Sequence, residues 1–104
     1  MQVAIELTKL DQYSDSHLFC YYKSTKSEII IWEIYKRTFK SVFQLTLPFV
    51  ANANEAMSLT QEVYRIMHLT LSNTEKETCL RSYLKNLVDN NLQIRIIENA
   101  LRSN

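Results

Sequence analysis

Glycine occurs nowhere among the 104 residues, and no other feature of the composition excludes as much. Phosphate-cradling loops, dinucleotide fingerprints and nucleophile elbows all use glycine for a positive φ or for close backbone approach. Those enzyme classes are set aside. The same lack removes the favoured two-residue hairpin turns and the usual helix C-caps, so longer turns, and asparagine in left-handed positions, are expected instead. Cysteine is scarce as well. Cys20 and Cys79 lie far apart with no CxxC spacing, which reads as two reduced thiols in a cytosolic protein. No leader-like opening is evident, and no apolar run nears the roughly 18 residues of a membrane span; the expected location is the cytoplasm, with no membrane partner. The net charge of +1 supplies no overall field toward nucleic acid or an anionic surface.

What is present suits one globular domain over residues 1–104, with a hydrophobic content of 46%. The aromatic residues divide it. Nine of the eleven precede residue 50, so residues 1–50 read as mainly β and 51–104 as mainly α. In the second half, Asn52 with Glu55 forms a capping-box pattern. It is followed by Ala56, Leu59, Val63, Ile66, Met67 and Thr70 at helical spacing. Ser72 with Glu75, or Thr74 with Glu77, would start a second helix carrying Leu80, Tyr83, Leu84, Leu87 and Val88. Asp89, Asn90 and Asn91 would break it before a short third helix with Leu92, Ile96, Ile97, Ala100 and Leu101.

The first half reads as a sheet. Val3, Ile5 and Leu7 alternate with less apolar residues, as do Phe43, Leu45, Leu47 and Phe49, with Pro48 at a strand end or edge. Between them, "SEIIIWEIYKR" (residues 27–37) pairs well with the stretch before it if Ser24–Ser27 make a four-residue turn. Lys23 then faces Glu28, Tyr22 faces Ile29, Tyr21 faces Ile30, Cys20 faces Ile31 and Phe19 faces Trp32. The expected fold is therefore α+β: a small antiparallel sheet of three or four strands packed against about three C-terminal helices. The alternative is a mostly α protein with a long helix over residues 26–44, since Thr25 with Glu28 also reads as a capping box and Ile31, Ile34, Tyr35, Thr38, Phe39, Val42 and Phe43 recur at helical spacing.

In the sheet reading, one face (Leu18, Cys20, Tyr22, Ile29, Ile31, Tyr35) packs under the helices. The other offers Phe19, Tyr21, Ile30, Trp32 and Ile34, with Lys36 and Arg37 at its rim, the composition of a binding patch.

Catalytic chemistry finds little footing. His17 and His68 have no Cys or His at metal-ligand spacing. On a strand, His17 and Cys20 would point to opposite faces, which removes them as a base and nucleophile. Cys79, near a helix start, reads as a half-buried structural thiol, although a helix dipole would lower its pKa. The carboxylates are spread singly. No catalytic residue, metal site, cofactor or small-molecule substrate is inferred.

Lys23, Lys26, Lys36, Arg37 and Lys40 against Glu28 and Glu33 leave residues 17–50 at +3. Interleaved with aromatics, they suggest a single-stranded nucleic-acid binder as the alternative function. A helix-turn-helix with its recognition helix at 75–88 is poorly supplied with net positive charge. The expected function is that of a small non-catalytic protein-binding module: an adaptor, assembly factor or regulatory subunit that binds another protein or a second copy of itself through the aromatic sheet face.

Overall fold

The computed structural model describes residues 7–102, and every regular element among them is helical. Four α-helices follow in order: α1 (Asp15–Thr25), α2 (Glu28–Thr46), α3 (Ala53–Thr70) and α4 (Leu80–Arg102). Short 3-10 turns occupy Leu7–Gln12 before α1 and Leu47–Phe49 after α2. The expected α+β fold is thus corrected to a mostly α one, the stated alternative. The opening strand read at residues 3–7 lies almost wholly outside the described residues. Its last member, Leu7, begins a 3-10 turn.

Residues 28–46 coil because a spacing of four outweighs β-propensity. Ile30, Ile34, Thr38, Val42 and Thr46 are buried at every fourth position, a repeat long enough to hold one helix face against α3 and α4. Ile, Trp and Phe merely tolerate strands well, and tertiary burial overrides that preference. The buried threonines stay satisfied inside the helices. Thr38 Oγ1 donates to the Ile34 carbonyl at 2.7 Å and shares a 2.6 Å hydrogen bond with Tyr64 of α3. Thr60 donates to the Ala56 carbonyl at 2.7 Å. The period-2 run at residues 43–49 belongs to the end of α2 and the turn holding Pro48.

The hairpin is replaced by a helix corner. α1 starts on Ser14, whose side chain accepts from the His17 N–H at 3.1 Å, and ends on Lys26 in the left-handed region at φ 53°. With no glycine available, a lysine takes this conformation at some steric cost. Its N–H closes on the Tyr22 carbonyl at 2.8 Å, and its Nζ reaches the His68 carbonyl at 3.3 Å. Thr25 does not cap Glu28. Its hydroxyl donates to the Tyr21 carbonyl and accepts from the Ser27 N–H.

The cap expected at Asn52 is present. Its side chain accepts from the Glu55 N–H at 2.9 Å, and Glu55 reaches back to the Ala51 N–H at 3.1 Å. Asn52→Ala is therefore expected to cost about 1 kcal/mol, read as a lower urea midpoint at unchanged slope.

After α3 the chain departs from expectation. Residues 71–79 form a non-helical linker that turns at Asn73 and Thr74 and is held by Lys23 Nζ on the carbonyls of Glu75 and Glu77 at 3.2 and 3.3 Å. A helix-turn-helix needs a turn of about three or four residues, and this linker is longer. α4 then runs unbroken through Asp89, Asn90 and Asn91. Asp and Asn cost a helix interior only a few tenths of a kcal/mol each relative to better formers, too little to stop a helix packed on both sides of the site.

The core gathers Leu18, Phe19 and Tyr22 of α1, Ile30, Ile34 and Val42 of α2, Leu59, Val63, Tyr64 and Met67 of α3, and Leu80, Tyr83, Leu84, Val88 and Leu92 of α4. Arg37 ties the N-terminal segment to it. Its guanidinium donates to the carbonyls of Leu10 and Tyr13 at 2.6 and 2.7 Å, and to the carboxylates of Asp15 and Glu33 at 3.1 and 3.2 Å. Arg81 of α4 joins the same network through Asp15 at 3.5 Å and Ser41 at 3.2 Å.

Candidate protein-binding groove

The helical fold scatters the residues expected on one sheet face. Phe19, Ile30 and Ile34 lie fully in the core, Tyr21 packs half-buried against it, and Arg37 is committed to the network above. Lys36 is exposed and pairs with Glu33 at 2.9 Å. The expected sheet-face patch therefore does not exist, because α-helical geometry sends Phe19 inward and Trp32 outward. Of the expected apolar anchors, Trp32 alone stays open, with 68% of its surface exposed.

Trp32 stands on the rim of a hollow of about 470 Å³ between α2 and α3. Ile31, Trp32 and Tyr35 form one wall with Glu28 at its end; Gln61, Tyr64, Arg65 and His68 form the other. The aromatic rings set the shape. Trp32 meets Tyr35 edge-on at 5.7 Å between centroids, and Tyr35 meets Tyr64 edge-on at 4.8 Å, both favoured arrangements. Tyr64 is anchored by its bond to Thr38, and burial pushes its hydroxyl up to about 12. It stays neutral at physiological pH. His68 is positioned by Tyr22, whose hydroxyl meets His68 Nδ1 at 2.5 Å. Burial, helped by nearby Tyr83, pushes the Tyr22 hydroxyl up to about 12 as well. The walls are thus largely apolar, with charge at two points, Glu28 on α2 and Arg65 on α3.

From the sequence, His68 reads only as a histidine without metal-binding neighbours, and Tyr64 and Arg65 are assigned no role. Gln61, Tyr64, Arg65 and His68 recur at intervals of three and four beside the apolar stripe of α3, which is the signal that marks a second helix face. It becomes meaningful only once α2 is known to be its neighbour.

The other candidates for chemistry are apart from this groove. α1 carries His17 and Cys20 one turn apart rather than on opposite faces, correcting the strand geometry. However, the His17 ring turns against Tyr13 at 4.9 Å while Cys20 is exposed. Cys79 is exposed rather than half-buried and sits just before α4. Hydrogen bonds from Ser82, side chain first and backbone second, hold its thiol below the usual range. Among the described residues, no three His, Cys, Asp or Glu side chains cluster as metal ligands, and no helix is long and apolar enough to cross a membrane.

No family model, curated protein or solved structure matches the chain.

Proposed function

We propose that the chain is a non-catalytic protein-interaction module, an adaptor, assembly factor or regulatory subunit, whose α2–α3 groove takes up an apolar helical segment of a polypeptide. One observation carries this reading: an exposed tryptophan is held at the edge of an aromatic hollow whose walls are already fixed by the core. Grooves between helices take amphipathic helices by anchors at spacings of three, four and seven. Binding energy in such sites concentrates on Trp, Tyr and Arg, and this groove supplies Trp32, Tyr35, Tyr64 and Arg65.

The nucleic-acid alternative is less well supported. Lys23 and Lys26 spend their amines on backbone carbonyls, and Lys36 and Arg37 on Glu33. Three of the five basic residues behind that reading, Lys23, Lys26 and Arg37, thus hold the fold together, and Lys36 is paired at the surface.

Selection from a displayed library of random peptides tests the proposal. Enriched sequences are expected to be amphipathic helices, and Trp32→Ala is expected to weaken them by about 2 kcal/mol or more, roughly 30-fold. Because Trp32 is mostly exposed, that variant should keep its helical circular dichroism. If no helix is enriched, or if the binders ignore Trp32→Ala, the groove is not the docking site.

A further inference from the structure

We infer that the occupant of the groove is a second copy of this chain, the C-terminal part of α4 lying in the Trp32 groove of its partner and the partner's doing the same in return. The inference rests on the groove being a docking site, as proposed above.

Among the described residues, the Trp32 groove and the end of α4 both lack a cover, and each has the form the other needs. The buried side of α4 ends at Leu92. Beyond it Ile94, Ile96, Ile97 and Leu101 are all more than half exposed, Leu101 at 70%. Ile94, Ile97 and Leu101 stand three and four residues apart, the anchor spacing of a helix read by a groove.

The charges match as well. Glu98 and Arg102 flank that stripe one turn apart, and neither has an ion-pair partner among the described residues. The groove presents the opposite order: Glu28 near one end, free of ion pairs among the described residues, and Arg65 further along, held only at 3.8 Å by Glu62. A helix laid with its C-terminal end toward Glu28 sets Arg102 on Glu28 and Glu98 on Arg65, while Ile97 and Leu101 enter the hollow beside Trp32. Such pairing fixes direction and register more than strength.

The chain cannot satisfy itself. Arg95 ties this part of α4 to Glu62 at 3.0 Å, and Ile94, Arg95, Glu98 and Arg102 border a polar hollow with Asn52, Glu55 and Ser58. That flank of α3 is not the one facing Trp32. Two copies can exchange these segments reciprocally, and a reciprocal exchange closes on itself as a two-fold dimer.

Sedimentation equilibrium of the full chain across the micromolar range, with circular dichroism to verify folding, tests the inference. The protein is expected to dimerise, with Trp32→Ala and Leu101→Glu each weakening self-association at least about 30-fold. An equimolar mixture of the two variants should recover a heterodimer, because it contains one intact groove and one intact α4 end. Should Leu101→Glu disturb folding, Arg102→Glu with Glu28→Arg replaces it: each alone weakens the dimer, and their mixture restores it. A chain that stays monomeric overturns the inference, as does a dimer indifferent to these variants or a mixture that does not pair. Helical peptides selected on the Trp32 groove of a monomeric chain would overturn self-pairing alone and leave the docking groove standing.

Discussion

Phe19→Ala is expected to destabilise the protein by about 3–5 kcal/mol, the cost of removing a fully buried phenylalanine and leaving its cavity. Phe19 has no exposed surface, its ring packs on Tyr83 of α4 at 5.3 Å, and Lys23 Nζ lies 4.9 Å from its centroid. It is thus a joint between α1 and α4. A domain of this size is stable by roughly 5–15 kcal/mol in all, so the variant should sit near the edge of folding. Urea unfolding followed by far-ultraviolet circular dichroism measures the loss. Trp32→Ala is the control: Trp32 is mostly exposed and gives up one edge-on contact with Tyr35, worth about 1 kcal/mol. Equal, small effects at both positions would contradict the helical packing, because a sheet face shared by the two residues predicts that they behave alike.

Arg37→Ala should cost roughly 3 kcal/mol, the low end for breaking a buried ion pair by removing one partner. Glu33 is only 7% exposed and would retain Lys36 alone. The carbonyl of Tyr13 would lose the Arg37 guanidinium and that of Leu10 would keep only the Tyr13 N–H, so residues 7–14 should become the first site of limited proteolysis.

The same variant should change the acid limb of the stability curve. Hydrogen bonding from Lys36 first, and from Arg37 after it, holds the Glu33 carboxyl below the usual carboxylate range against the opposing effect of burial. A carboxyl with a depressed folded-state pKa contributes stability that is fully present above its unfolded value of about 4.3 and is lost as pH falls through the folded one. The wild type should therefore lose stability on acidification below about pH 4. Arg37→Ala, with Glu33 less depressed, should lose less over that window. Urea midpoints taken at neutral pH and through the acid range give both curves, and parallel curves would remove Arg37 from the cause.

The helix over residues 53–70 was legible because several local signals agree there: a side-chain cap at Asn52, Glu55 three residues on, and an apolar stripe that never leaves one face. Residues 17–49 carry conflicting signals. Their Ile, Tyr, Trp and Phe favour strands, while Ile30, Ile34, Thr38, Val42 and Thr46 keep a strict helical interval. Two of those five are threonines, which an apolar pattern passes over, although both are buried and bonded within the bundle. Trp32 was legible as a surface aromatic, but its neighbours were not. Tyr64, Arg65 and His68 meet it only because α3 folds back along α2.

Local chemistry alone determined the lack of glycine-dependent sites, the Asn52 cap and the amphipathic stripe of α3, since each depends on residues within a turn or two of one another. The tertiary structure decided that residues 28–46 coil, that a lysine takes the left-handed corner, that α4 continues through Asp89, Asn90 and Asn91, and that a groove exists beside Trp32. In the first three of these the burial of one helix against another outweighs a local cost of about 1–2 kcal/mol or less per residue, and that burial, like the groove, is set by partners distant in the chain.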